Sequence, residues 1–259
     1  MAWVVLALSA MAVLAVGLTA TAIVLSSLGA SLGTPAPAFW LTLAGACVLT
    51  VASLGLRSLR WIFLLRRAET RIPIRDAYIG YLAGFSLLLA PLFLGEIVVR
   101  AWVLRRRGGV PTGVTAVLSM WERWFDLLAL ASIAGVLWAL SGQPVLAWGS
   151  LGITGLFLVL RAPRALLLGL LTSLVNRAGR LGGSRVVPPL PRLVKTRTCW
   201  TTFATSVAAW LLPALGFYVL CADAALAVHP LDALLAYAAS TLRAGLAFVP
   251  GGEVGRAHV

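Results

Sequence analysis

No charged side chain precedes Arg57, so the first 56 residues offer water nothing ionic. A stretch that long and apolar would leave large greasy patches on any water-soluble fold. The rest of the chain agrees: 61% of its 259 residues are hydrophobic and 11% charged, against about 45–50% and about 25% in soluble domains. These features exclude an ordinary soluble domain. They predict an all-α polytopic membrane protein, a single transmembrane domain over residues 1–259, because a helix satisfies its own backbone in lipid.

The net charge of +13 comes from 20 Arg and one Lys against eight acidic residues. The arginines fall in blocks beside apolar runs, where membrane topology and anionic headgroups put them. Membrane lipids, and not nucleic acid, are therefore the expected partners. Cys47, Cys199 and Cys221 lack metal-ligand spacing and read as small core residues. Neither His229 nor His258 has a companion at ligand spacing, so neither metal nor cofactor is expected. The chain carries no phosphate-binding loop, dinucleotide fingerprint, zinc-protease motif or aspartate-rich diphosphate site, and the expectation is a protein that is not an enzyme.

About 20 residues cross a 30 Å hydrocarbon core. Residues 3–28 meet that length and, with no basic residue ahead of them, read as a retained helix and not a cleaved signal. Residues 29–38 turn, and residues 39–56 cross back. Arg57, Arg60, Arg66, Arg67, Arg71 and Arg75 follow against a single Glu69, read as a helix end whose guanidiniums snorkel to the headgroups. Residues 127–160 hold two crossings divided by Ser141-Gly142-Gln143-Pro144, residues 165–176 are too short to span, residues 177–197 form a basic cytoplasmic loop, and residues 198–222 cross again. The sum is about five full transmembrane helices.

Basic segments stay on the cytoplasmic side, which puts residues 57–75 and 161–197 inside, together with the N-terminus. The block Arg105–Arg107 would lie outside if residues 77–95 crossed fully, and every later loop would be reversed. All basic segments agree if residues 77–95 enter and leave on one side as a re-entrant or broken helix hairpin, with Pro91 and Gly95 at the break. Non-helical backbone at that depth has to be buried in protein or line a cavity. The landmarks Asp76, Pro91, Glu96 and Arg100 have a weak echo in Asp232, Pro250, Glu253 and Arg256. An inverted pseudo-repeat would produce that echo, with a second kink at Pro250, Gly251 and Gly252; chance would produce it equally.

Glu96 and Arg100 are spaced i,i+4, as are Glu122 and Asp126, with Arg123 beside them. Such pairs share a helix face and are costly near lipid unless paired or wet. Read one way, they anchor helix ends at the interface. Read the other way, they form a polar groove gripping a charged headgroup, since an arginine fork makes paired bonds to phosphate. Arg243 has ten uncharged residues before it and nine after, an address that calls for a partner carboxylate in the bundle or a substrate cavity. The expectation is that Arg243 joins the first five on one solvated surface.

Three segments carry a resemblance: Gly95-Glu96-Ile97-Val98-Val99-Arg100, Leu104-Arg105-Arg106-Arg107-Gly108-Gly109-Val110, and Trp121-Glu122-Arg123-Trp124-Phe125-Asp126. With Leu59-Arg60-Trp61 and Phe248-Val249-Pro250-Gly251-Gly252, they resemble the flippase-like family also called the lysylphosphatidylglycerol synthase transmembrane region. The resemblance implies a multi-pass cell-membrane protein that moves an anionic or aminoacylated phospholipid, or a lipid-linked glycan, between leaflets. The resemblance also allows a separate synthase or transferase as a partner. A non-transporting lipid-binding scaffold or regulatory subunit is the alternative. The late element departs from the family pattern at Glu253 and the chain stops within it, as expected of a C-terminally shortened member.

Overall fold

The structure is a computed structural model that describes residues 37–85, 94–181, 186–223 and 229–247. Every regular element among them is a helix: α1 (Pro37–Arg67), α2 (Ile74–Gly84), α3 (Leu94–Gly108), α4 (Thr112–Leu140), α5 (Pro144–Val159), α6 (Arg161–Leu181), α7 (Thr196–Asp223) and α8 (Pro230–Ala247). The expected N-terminal crossing, Pro91 and the element from Phe248 onward lie outside the described residues, so the pseudo-repeat has no second copy to compare.

Three described helices, α1, α4 and α7, are long and apolar enough to cross a membrane, and the bent pair α5–α6 would make a fourth. At 1.5 Å per residue, the 31-residue α1 and 29-residue α4 are each over about 40 Å long. The protein is an all-α polytopic membrane protein. α1 continues without a break from its apolar half into Arg66 and Arg67, as the basic block predicts.

α1 and α7 lie antiparallel, with Ala46 against Gly216 and Ser53 against Ala209. Pro213 sits inside α7 and has no N–H to give the carbonyl four residues back, that of Ala209. Ser53 of α1 donates its hydroxyl to that carbonyl at 2.6 Å. A defect that lipid would punish is thereby repaired by the neighbouring helix.

α2 and α3 also pair antiparallel. Arg107 donates to Asp76 at 2.9 Å at their outer ends, and farther in Gly80 faces Leu104 while Gly84 faces Glu96 and Arg100. A Cβ at Gly80 or Gly84 would fall 2.6 or 2.7 Å from those side chains, so this small-xxx-small pair sets how closely the helices approach. The 11-residue α2 is only about 16 Å long, too short to cross. The start of α2 and the end of α3 therefore lie at the same end of the bundle, and residues 86–93 between the two helices lie outside the described residues.

α4 crosses next, in one piece from Thr112. α5 returns along it, with Ser132 bonded to Thr154 at 3.1 Å and Trp121, Trp124 and Phe125 packed around Phe157. Leu160 is extended (ψ 136°), and α6 leaves at 85° to α5. Arg164, buried at 1% exposure, donates to the carbonyl of Leu160 at 2.9 Å and closes the free end of α5.

The basic segment 177–197 differs from the loop expected of it. α6 runs on to Leu181 and α7 already begins at Thr196. Between them Val187, Leu190, Leu193 and Val194 are buried, so residues 186–195 form a strap held down by its apolar side chains while Arg192 and Lys195 face outward. Arg192 pairs with Glu69 at 2.9 Å, and Pro188–Pro191 share a cleft with Arg67–Arg71 and Gly108–Pro111. The basic segments therefore gather at one end of the bundle.

Candidate functional site

Arg60 projects from α1, Glu96 and Arg100 from α3, and Glu122, Arg123 and Asp126 from α4. Glu122 lies ten residues into α4 and Asp126 fourteen, about 15 and 21 Å from its start. The expectation of charges at a helix mouth is corrected for Glu122 and Asp126, which sit inside α4, whereas Glu96 lies in the first turn of α3. α4 begins at Thr112 and carries Glu122 and Asp126 inward instead of starting beside them.

Arg60 bonds Glu122 at 2.7 Å and Asp126 at 2.6 Å, and also reaches the Ser206 hydroxyl of α7. Arg100 bonds the other oxygen of Glu122 at 2.8 Å and pairs with Glu96 one turn back on α3. Arg123 pairs with Glu96 and lies 3.7 Å from Asp126. Each carboxylate bridges two arginines and each arginine two carboxylates. The three cations and three anions balance.

Aromatic faces complete the enclosure. The Arg100 guanidinium lies 4.3 Å from the ring centre of Tyr81 on α2 and 4.9 Å from that of Trp61 on α1, positions in which the ring quadrupole attracts a cation. One turn before Arg60 on α1, half-buried Arg57 lies 3.9 Å over the Trp210 ring of α7. Arg57 forms no ion pair among the described residues.

Five of the six residues expected on one surface do meet. Arg243 does not join them: it is exposed on α8 and takes no part in this network. The surface is also drier than expected, since Arg60, Glu96, Arg100, Glu122 and Asp126 are all buried and Arg123 alone keeps a substantial fraction, 28% of its side chain, accessible. Of the expected kink residues, Gly95 is buried at the start of α3, while Pro91, Pro250, Gly251 and Gly252 lie outside the described residues.

Arg60 was not among the residues the local pattern singled out. It reads as one more interfacial arginine, yet it is 2% exposed and holds two carboxylates. The available signal was the Leu59-Arg60-Trp61 resemblance, and both Arg60 and Trp61 point inward while Leu59 faces out.

Burying ions is expensive, and replacing a buried ion pair with apolar residues is often neutral or stabilising. Stability is therefore a poor explanation for six of them, and intramembrane ionisable groups mark function by default. No group of three or more His, Cys, Asp or Glu suited to a metal occurs among the described residues. Among curated proteins and solved structures, none matches the chain at a significant level. The sequence profile of the lysylphosphatidylglycerol synthase TM region matches residues 2–258, essentially the whole chain. A membrane bundle organised around that buried Arg–carboxylate network thus belongs to the lysylphosphatidylglycerol synthase TM region family, a family tied to membrane lipids.

Proposed function

We propose that this protein carries a charged lipid headgroup between leaflets, the headgroup exchanging into the Arg–carboxylate network while the acyl chains stay in the bilayer. The observation that carries the reading is the balanced, buried set of three arginines and three carboxylates shared by α1, α3 and α4. A phosphate can replace a carboxylate on an arginine fork, and an ammonium can replace a guanidinium on a carboxylate, without stranding a bare charge in lipid. Arg123 is where exchange begins, as the most accessible member. With Arg57 included, four arginines face three carboxylates, which favours an anionic group.

The substrate class is an anionic or aminoacylated phospholipid, or a lipid-linked glycan, moved without covalent chemistry. The basic end of the bundle faces the cytoplasm in this reading. A second reading, a lipid-binding scaffold or regulatory subunit that does not transport, is favoured by the near-complete burial of Glu96, Arg100 and Glu122.

Liposomes carrying a fluorescent phosphatidylglycerol separate the two. Transport predicts leaflet exchange faster than in protein-free vesicles, with Arg123→Gln slowing it by about tenfold, the equivalent of one charge-assisted bond. Exchange at the protein-free rate from a correctly folded sample would leave the scaffold.

A further inference from the structure

The basic end of the bundle holds a cleft that the network does not use. α1 stops there in a left-handed turn: Glu69 has φ 60°, its N–H donates to the Arg66 carbonyl at 3.1 Å, and the Thr70 N–H reaches the Leu65 carbonyl at 3.2 Å. Glycine is the usual occupant of such a helix-end position. A glutamate there is mildly strained, and residues of that kind concentrate at ligand sites. Its carboxylate is taken up by Arg192 of the strap.

Around this turn lies a cleft of about 380 Å³, walled by residues 67–71, the α3–α4 corner at 108–111 and the proline-rich strap at 188–191. A shallower cleft of about 400 Å³ shares Glu69, Thr70 and Arg71 with it and adds Arg66 and Arg192. Four arginines thus line the pair of clefts against one carboxylate. Arg66, Arg67 and Arg71 have no carboxylate partner among the described residues. Arginines in the last turn of a helix also complement its dipole, but that role requires neither an enclosing wall nor an adjoining strap tied across by Arg192.

We infer that this cleft is a phosphate-ester subsite, formed by Arg67 and Arg71 with Arg66 and Arg192 at its margin. The volume suits a phosphate-bearing headgroup, and arginine forks recognise phosphate geometry directly. The inference deepens the transport reading and rests on it for its purpose: the cleft would hold a lipid phosphate at the membrane surface before the headgroup moves inward. A soluble phosphate ester shares the same chemistry.

The test is binding of a fluorescent short-chain phosphatidic acid to the purified full chain in phosphatidylcholine nanodiscs. Arg67→Gln with Arg71→Gln should weaken binding by about tenfold or more, whereas Arg105→Gln with Arg106→Gln, equal in charge but outside the cleft, should change it less than about twofold. Arg67→Lys with Arg71→Lys should restore only part of the loss, and circular dichroism should show all variants folded. Equal losses in the two glutamine pairs, or no loss in either, would overturn the subsite. Competition by glycerol 3-phosphate assigns it to phosphate esters at large, and its absence to phosphates carried on acyl chains. Binding is read without leaflet exchange, so losing the subsite leaves the transport reading standing, and failed exchange with intact binding does the reverse.

Discussion

Arg60 shows how much one side chain can depend on partners far away in sequence. Its guanidinium holds Asp126 across 66 positions and Glu122 across 62, while Ser206 is recruited from 146 positions away. Arg60→Ala would leave three buried carboxylates facing two arginines, with Glu122 held by Arg100 alone and Asp126 by the longer Arg123 contact. We expect a loss of about 3–5 kcal/mol, the usual consequence of stranding a buried charge, read as a lowered unfolding midpoint in detergent. Arg60→Lys should recover only a fraction, because an ammonium cannot serve both carboxylates as a planar fork does. An Arg60→Ala protein that melts like the native one would show that the network is not closed in the membrane-embedded fold. At this scale the i,i+4 pair Glu96–Arg100 was legible in the sequence, since helical geometry alone brings those residues together. The Arg60 partnership was not, because nothing local distinguishes an arginine that turns inward from one that snorkels.

Helices impose their own tests. Gly84 sits where a Cβ would meet Arg100 Nε at 2.7 Å and Glu96 Cγ at 2.9 Å. Gly84→Ala should therefore push α2 away from α3 and disturb the Arg100 contacts, at a cost of about 1–3 kcal/mol as for other overpacked sites. Gly45→Ala and Gly55→Ala on α1 meet nothing within 4 Å, and should leave stability equal or slightly raised because alanine favours helix. Thermal unfolding of the three variants side by side checks the contrast. Ser53→Ala strips the Ala209 carbonyl of its donor beside Pro213, for an expected loss of about 1–2 kcal/mol. The long apolar helices and their proline landmarks were readable from length and composition. The true start of α4 at Thr112 was not, because a charged cluster resembles a helix end until three neutralising partners are seen around it.

At the scale of the whole molecule, the α2–α3 hairpin decides the topology. Since Asp76 and Arg107 meet at its open end, the segments before and after it lie at one end of the bundle and are expected on one side of the membrane. Single cysteines in a cysteine-free background make this testable by labelling intact cells with an impermeant reagent. Arg106→Cys and Arg192→Cys should label only after the membrane is opened, whereas Ser141→Cys should label from outside. Arg106→Cys and Ser141→Cys labelling from the same side would mean that the bundle has one crossing more or fewer than this arrangement requires. The test reads side of exposure alone, so it is independent of transport.

Composition and spacing alone determined that this chain belongs in a lipid bilayer and crosses as helices, and they set the expectation that its basic segments share one side. Those properties follow from local quantities: transfer of apolar surface, helix rise per residue, and the cost of moving a cation across the membrane. The tertiary structure decided which charges meet. Glu96, Arg100, Glu122, Arg123 and Asp126 close a ring with Arg60, while Arg243 stays outside it. That outcome depends on helix register and on the close approach allowed by Gly80 and Gly84, and ion pairing acts over a few ångströms in space irrespective of distance along the chain.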